Sequence, residues 1–431
     1  MPITLFSAMR SLNFAGTIAG ASNDDLVNKV DKLIKKKPGK LRLPGHKALK
    51  PAPCLHGDQR VRAITALHRL AESSALNYPV GLYSWKLNWI FLKYLGFFDA
   101  TPTAPEHKLS LLGRQVVGRE RGVVSEELGI AFGLSVAELW CQGTLPGAAV
   151  EAIDIDQILS GGRQLKGAKV AKSRAIGRRA DYLLQIQPAV GSRRLQFRIL
   201  ECKGTSYLSN VSGQLASAVG QLDGVEVGTI VPPGLAVATF TGGGHWSYEA
   251  LDPEEGVVEV EVNARVAAMV REGVDLNPRV NGQALVLAEA PELLAARSLN
   301  VSMAKLAAFS GKTRVETQRP GSGISFVDSS RAASVETPVG NVHAVSDEFS
   351  IDGVEFRVFR GLEGSVNSSL AAEEPLRFLE AQASVAARVG ENQASTDHEG
   401  GSLHGGWTDQ FEEDGIWSLT SNGSVLGIVP F

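Results

Sequence analysis

The sequence predicts a mixed α/β protein with a helical N-terminal region and a β-rich C-terminal domain, on three observations. First, "ADYLLQIQPAV" and "RRLQFRILECK" are apolar-rich strands on either side of Gly191-Ser192, a hairpin signal, with a helix "NVSGQLASAVGQL" and strands "GLAVATF" and "WSYEALDPEE" after them. Second, the chain before them carries helical patterning. Third, beyond about residue 315 the texture changes to short alternating runs broken by turn residues, as in "FSIDGVEFRVFRG" and "GIWSLTSNGSVLGIVPF". At 431 residues two or three domains are expected. The predicted boundaries are a helical, basic region over 1–108, a core over 109–256, a helical extension over 257–312 and the β-rich domain over 313–431.

Taken in order, "NDDLVNKVDKLIKKK" (23–37) predicts an amphipathic helix. Asn23 caps it, Asp24 and Asp25 suit its positive end, Leu26, Val30, Leu33 and Ile34 share a face, and Pro38-Gly39 stops it. The aromatic run 81–98, "GLYSWKLNWIFLKYLGFF", is apolar nearly all round and predicts a buried helix, with packing preferred over base stacking as the role of its rings. "SEELGIAFGLSVAELW" predicts a helix from Ser125 to about Trp140. Residues 258 to about 310 read as helical. The Ser/Ala/Glu-rich stretch from about 364 to 405 is expected to hold a helix and a flexible loop.

Composition narrows the functional classes. Apolar residues make up 44% and charged residues 21%, and no run of 18 apolar residues occurs, so a membrane span is not expected. Arg10 and Asn13 interrupt what would be the hydrophobic part of a leader. Cys54, Cys141 and Cys202 are far apart and form no CxxC, which argues against a disulfide framework or structural zinc and fits a reducing cytoplasm. The net charge of −3 hides two basic segments. Lys29 to Lys50 holds nine basic residues against the single acid Asp31, and Arg163 to Arg179 holds seven with no acid. Such segments suit a polyanion, because neutralised phosphates release counterions.

The strand end "LECKG" places Glu201 and Lys203 on one face, two residues apart. Across the hairpin, a two-residue turn at Gly191-Ser192 brings Asp181 onto the face of Cys202. One extra residue in the turn, which Pro188 favours, brings Asp181 to Glu201 and Lys203 instead. Two adjacent carboxylates repel and are tolerated around a divalent cation; an all-oxygen set favours Mg²⁺ or Mn²⁺. A lysine on the same face can serve an attacking water and offset charge on a phosphate. Cys202 reads as a small buried apolar residue.

On Asp181 in "RRADYLL" and Glu201-Cys202-Lys203 in "LECKG", with helix, strand, strand, helix and strand around them, the sequence resembles the PD-(D/E)XK nuclease superfamily over roughly residues 110–255. The resemblance implies a restriction-endonuclease-like core, a mixed central sheet flanked by helices. It also implies a Mg²⁺- or Mn²⁺-dependent endonuclease or exonuclease acting on nucleic acid, with DNA favoured over RNA and a setting in restriction or antiviral defence. Asp181, Glu201 and the backbone carbonyl of Cys202 are then the expected metal ligands and Lys203 the residue serving water. A helix acid, Glu127 or Glu126, completes the set, and Gln214 or Gln221 supplies the glutamine of the following helix. Lys166, Lys169, Lys172, Arg174, Arg178 and Arg179 are the expected nucleic-acid contacts. The β-rich end is the expected surface for self-association or a protein partner. Where the family has proline before the aspartate, this chain has Ala180. The alternative is a catalytically silent member acting as a nucleic-acid-binding or assembly subunit.

Overall fold

The computed structural model describes residues 4–431 apart from 37–47, 79–81, 100–104, 161–178, 189, 223, 254–255, 277, 282–283, 317–323, 328–330, 352 and 399–414. Its centre is a mixed sheet built from β1 (Ala15–Ala21), β2 (Gly57–Arg62), β3 (Ala149–Asp154), β4 (Tyr182–Gln187), β5 (Arg194–Thr205), β6 (Gly234–Phe240) and β7 (Ser247–Pro253). These run in the order β2-β1-β7-β6-β5-β4-β3, and short strands Leu49–Lys50 and Val258–Glu261 add to β7 and β5. β5 and β6 pair in parallel, as do β1 and β7, and the other neighbours are antiparallel.

Among the described residues the helices longer than ten residues are α1 (Asp24–Lys36), α2 (Ala63–Ser73), α3 (Tyr83–Tyr94), α4 (Gly118–Thr144), α5 (Val211–Leu222), α6 (Pro291–Phe309) and α7 (Pro375–His398). They cover both faces of the sheet. A side chain at Gly133 of α4 would strike the Cys202 sulfur, whereas one at Gly234 would meet Ile199 and Leu222 of α5. Since 199 and 202 point to opposite faces of β5, α4 and α5 lie on opposite sides. α5 is also the crossover that parallel pairing of β5 and β6 requires.

The C-terminal chain forms a separate antiparallel sheet, β8 (Ala333–Thr337), β9 (Gly340–Ile351), β10 (Val354–Glu363), β11 (Ile416–Leu419) and β12 (Ser424–Pro430), ordered β8-β9-β10-β12-β11. Among the described residues no helix is long and apolar enough to cross a membrane.

Three expectations change. The region 1–108 is not all helix, because it gives β1 and β2 to the central sheet. β1 is "AGTIAGA", and its small residues are required: a Cβ at Gly16 would lie 2.7 Å from the His107 ring and one at Gly20 2.4 Å from the Tyr248 hydroxyl. Such a strand carries almost no apolar signal. α3 is not buried all round. Leu87, Phe91 and Tyr94 are buried, but Trp85 and Trp89, one turn apart, are 73% and 59% exposed. Composition counts tryptophan as core, whereas only one face of this helix meets its neighbours. The segment 257–312 holds two helices but also strands Val258–Glu261, Arg279–Asn281 and Ala284–Ala288.

Candidate active site

The hairpin register decides where the acids lie. Tyr182 pairs with Leu200 and Leu183 with Ile199. The next step of this ladder sets Asp181 opposite Glu201, on one face of the sheet with Lys203. Gly191, at a φ of 79°, supplies the left-handed residue of the turn. The Asp181 N–H donates to Glu201 Oε2 at 2.9 Å, and Lys203 Nζ ion-pairs with Glu201 Oε1. Glu201 is fully buried, and its Oε1 accepts no well-directed hydrogen bond.

The electrostatics follow from this crowding. Burial, then the charge of Asp181, pushes the Glu201 carboxyl well above the usual range, with Lys203 opposing. Burial also raises Asp181, again against Lys203. Burial works against the Lys203 ammonium, but Glu201 and Asp181 outweigh it and hold its pKa above the ordinary lysine value. One carboxylate balances Lys203, so in the cation-free protein the two carboxyls are harder to ionise together than either would be in water.

Asp181 and Lys203 open onto a cleft of about 790 Å³ lined also by Glu126, Asp154, Asp156, Arg179, Gln214 and Gln221, while Glu201 is buried and is not among the lining residues. Glu126 reaches it because α4 and β5 touch backbone to backbone. A Cβ at Gly204 would sit 1.9 Å from the Ser125 carbonyl oxygen, and one at Gly129 2.3 Å from Gly204 Cα. The neighbouring Glu127 is not among the lining residues. It accepts from the Tyr94 hydroxyl at 2.6 Å and from Lys93 at 3.1 Å, tying α4 to α3. Gln221 Nε2 donates to the Arg179 carbonyl at 3.1 Å, holding the chain that enters β4. Arg179 itself ion-pairs with Asp156. Cys202 is buried under Gly133 of α4. Lys166, Lys169, Lys172, Arg174 and Arg178 lie outside the described residues. Of the first basic segment, Lys29 pairs with Glu249 and Lys35 with Asp31, and 37–47 lies outside the described residues.

Sequence reasoning missed Asp154 and Asp156. "AVEAIDIDQIL" reads, in hindsight, as an apolar strand ending in an acid that caps a short helix, with Asp154 Oδ1 accepting the Asp156 N–H at 2.7 Å. β3 sets Asp154 opposite Tyr182, next to Asp181. Burial raises its carboxyl to about 6. Among the described residues, four acids and two bases line the cleft, and no three His, Cys, Asp or Glu side chains converge to hold a metal ion. Comparison with protein-family models, curated proteins and solved structures gave no match.

Proposed function

We propose that the chain is a divalent-cation-dependent nuclease of the PD-(D/E)XK kind that hydrolyses phosphodiester bonds, with DNA the favoured substrate. The observation that carries this reading is the β4–β5 register, which sets Asp181 opposite Glu201 with Lys203 beside them, Asp181 and Lys203 lining a cleft and Glu201 buried next to them. The order α4, β3, β4, β5, α5, β6 around that cleft supports the same reading.

The donor set fits a hard cation. Two carboxylates face each other, the buried one held by the Asp181 N–H on one oxygen and by the Lys203 ammonium on the other. Mg²⁺ keeps several waters and takes one or two carboxylates, so convergence of three acidic side chains is not needed. Asp181 and Glu201 would hold the ion, with the carbonyl of Cys202, next to Glu201 in sequence, as a further oxygen. When bound, it would supply Lewis-acid polarisation of a phosphoryl oxygen. A lining richer in acids than bases repels a polyanion, and a cation between Asp181 and Glu201 would reverse the local sign.

Lys203, with its raised pKa, keeps its proton at neutral pH. It therefore acts as a donor, steadying charge that builds on a phosphoryl oxygen and orienting the attacking water. Glu126 and Gln214, which line the cleft from α4 and α5, would position the substrate and water.

The test incubates the full chain with supercoiled plasmid and with single-stranded DNA, with Mg²⁺, Mn²⁺ or chelator. Cleavage that needs the cation and disappears in Asp181→Ala is expected. Intact substrate under every condition would favour the silent binding or assembly subunit.

A further inference from the structure

The cleft ends on an unusual pair. Tyr207 is 63% exposed and lines the cleft, and Leu208 beside it is 65% exposed. An apolar ring left in water at the edge of a polar cleft is not explained by core packing. Nor does the backbone there hang free. The Tyr207 N–H donates to Thr205 Oγ1 at 3.2 Å, its carbonyl accepts the Asn210 N–H at 3.0 Å, and the Thr205 carbonyl accepts the Thr241 N–H at 3.0 Å. The ring is thus presented from a fixed turn between β5 and α5.

We infer that Tyr207 is a stacking platform for an unpaired base of the substrate, so that the cleft selects single-stranded DNA or DNA with a base turned out near the scissile phosphate. This rests on the nuclease reading of the same cleft. Tyr207 lies four positions after Lys203, which spans at most about 14 Å of extended chain. At about 3.4 Å per stacked nucleotide, that is no more than roughly four nucleotides from the phosphate at Lys203. A single exposed aromatic face accepts any base without reading its edge, so it selects for strandedness rather than sequence. Base pairs within a continuous duplex hide both faces of every base and cannot use it.

The experiment uses the full chain carrying Lys203→Ala, to prevent cleavage, in Mg²⁺. The probe is a single-stranded DNA oligonucleotide with one 2-aminopurine, moved along the strand in successive probes, alongside the same sequence as a blunt duplex. Stacking should quench the fluorophore at one or two positions. Adding Tyr207→Ala should remove that quench and weaken single-strand binding roughly 10- to 100-fold while leaving duplex binding within about twofold. Tyr207→Phe, which keeps the ring, should behave like Tyr207. Unchanged quenching and affinity in Tyr207→Ala would overturn the inference, as would equal weakening of single strand and duplex. Those outcomes leave the nuclease reading standing. Failure of the Lys203→Ala chain to bind either DNA, together with no cleavage by the parent, would remove both.

Discussion

Asp181 and Glu201 hold more proton than two free carboxyls would, because burial raises both and the charge of Asp181 raises Glu201 further. A cation held between them competes with that proton. Affinity for Mg²⁺ or Mn²⁺ is therefore expected to climb as pH rises through the elevated carboxyl range, with measurable proton release when titrated calorimetrically in two buffers of different ionisation enthalpy. Flat affinity from about pH 5 to 8 would contradict the assignment. The same raised pKa values act on stability with a definite sign. A carboxyl raised by folding gives a contribution present below its unfolded pKa and lost as pH rises through the folded one. Glu201→Gln, which removes the ionisation, should raise the melting temperature of the cation-free protein at neutral and alkaline pH, with little change near pH 4. At this scale the sequence was informative about Asp181, Glu201 and Lys203, because strand parity needs only one turn to be placed. It could not separate Glu126 from Glu127. That choice depends on how α4 is rotated against β5, which backbone contact at Gly204 and pairing of Glu127 with Tyr94 decide.

At the scale of elements, the approach of α4 to β5 is the feature on which the cleft depends. Gly204→Ala forces a methyl group to within 1.9 Å of a backbone oxygen that cannot swing aside, so α4 must retreat. The expected cost is about 1–3 kcal/mol, read as a lower denaturation midpoint, with a loss of cleavage larger than stability alone explains because Glu126 moves with the helix. Unchanged stability and activity would show that the helix is not seated there. The β4–β5 hairpin, α5, β6 and the C-terminal hairpins were legible from apolar strands and turn residues. β1 was not, since its glycines and alanines serve close packing against His107 and Tyr248 rather than burial of their own surface. β3 was overlooked for want of a partner strand to read it against, and Asp154 with it.

The whole molecule is closed by a buried polar network that ties the C-terminal sheet to the strand bearing Asp154. Lys305 of α6, fully buried, donates to Glu72 at 2.8 Å and ion-pairs with Glu151 of β3. The buried turn between β11 and β12 completes it: Asn422 donates to Glu72 at 2.6 Å and to Glu151 at 2.7 Å, and Ser421 donates to Glu138 of α4 at 2.5 Å. Burial raises Glu151 to about 7, while Lys305 and Arg69 outweigh burial to hold Glu72 at about 2. Lys305→Met leaves buried carboxylates without their cation and should destabilise the protein by about 3–5 kcal/mol. Removing residues 416–431 should prevent folding of the cleft as well as the C-terminal sheet; a truncated chain with native melting behaviour would contradict this. Sequence reading placed the C-terminal strands but treated them as a separate unit, because partners 350 residues apart, as Asn422 and Glu72 are, leave no local pattern.

The most direct measurement follows cation binding and DNA cleavage in parallel, in saturating Mn²⁺, for the parent chain and for Asp181→Ala, Glu201→Ala and Lys203→Ala. The expected result is cleavage by the parent alone, with Mn²⁺ affinity retained in Lys203→Ala and lost in both acid variants. Cleavage by Lys203→Ala at the parent's rate, or Mn²⁺ affinity that is the same in all four proteins, would contradict the account.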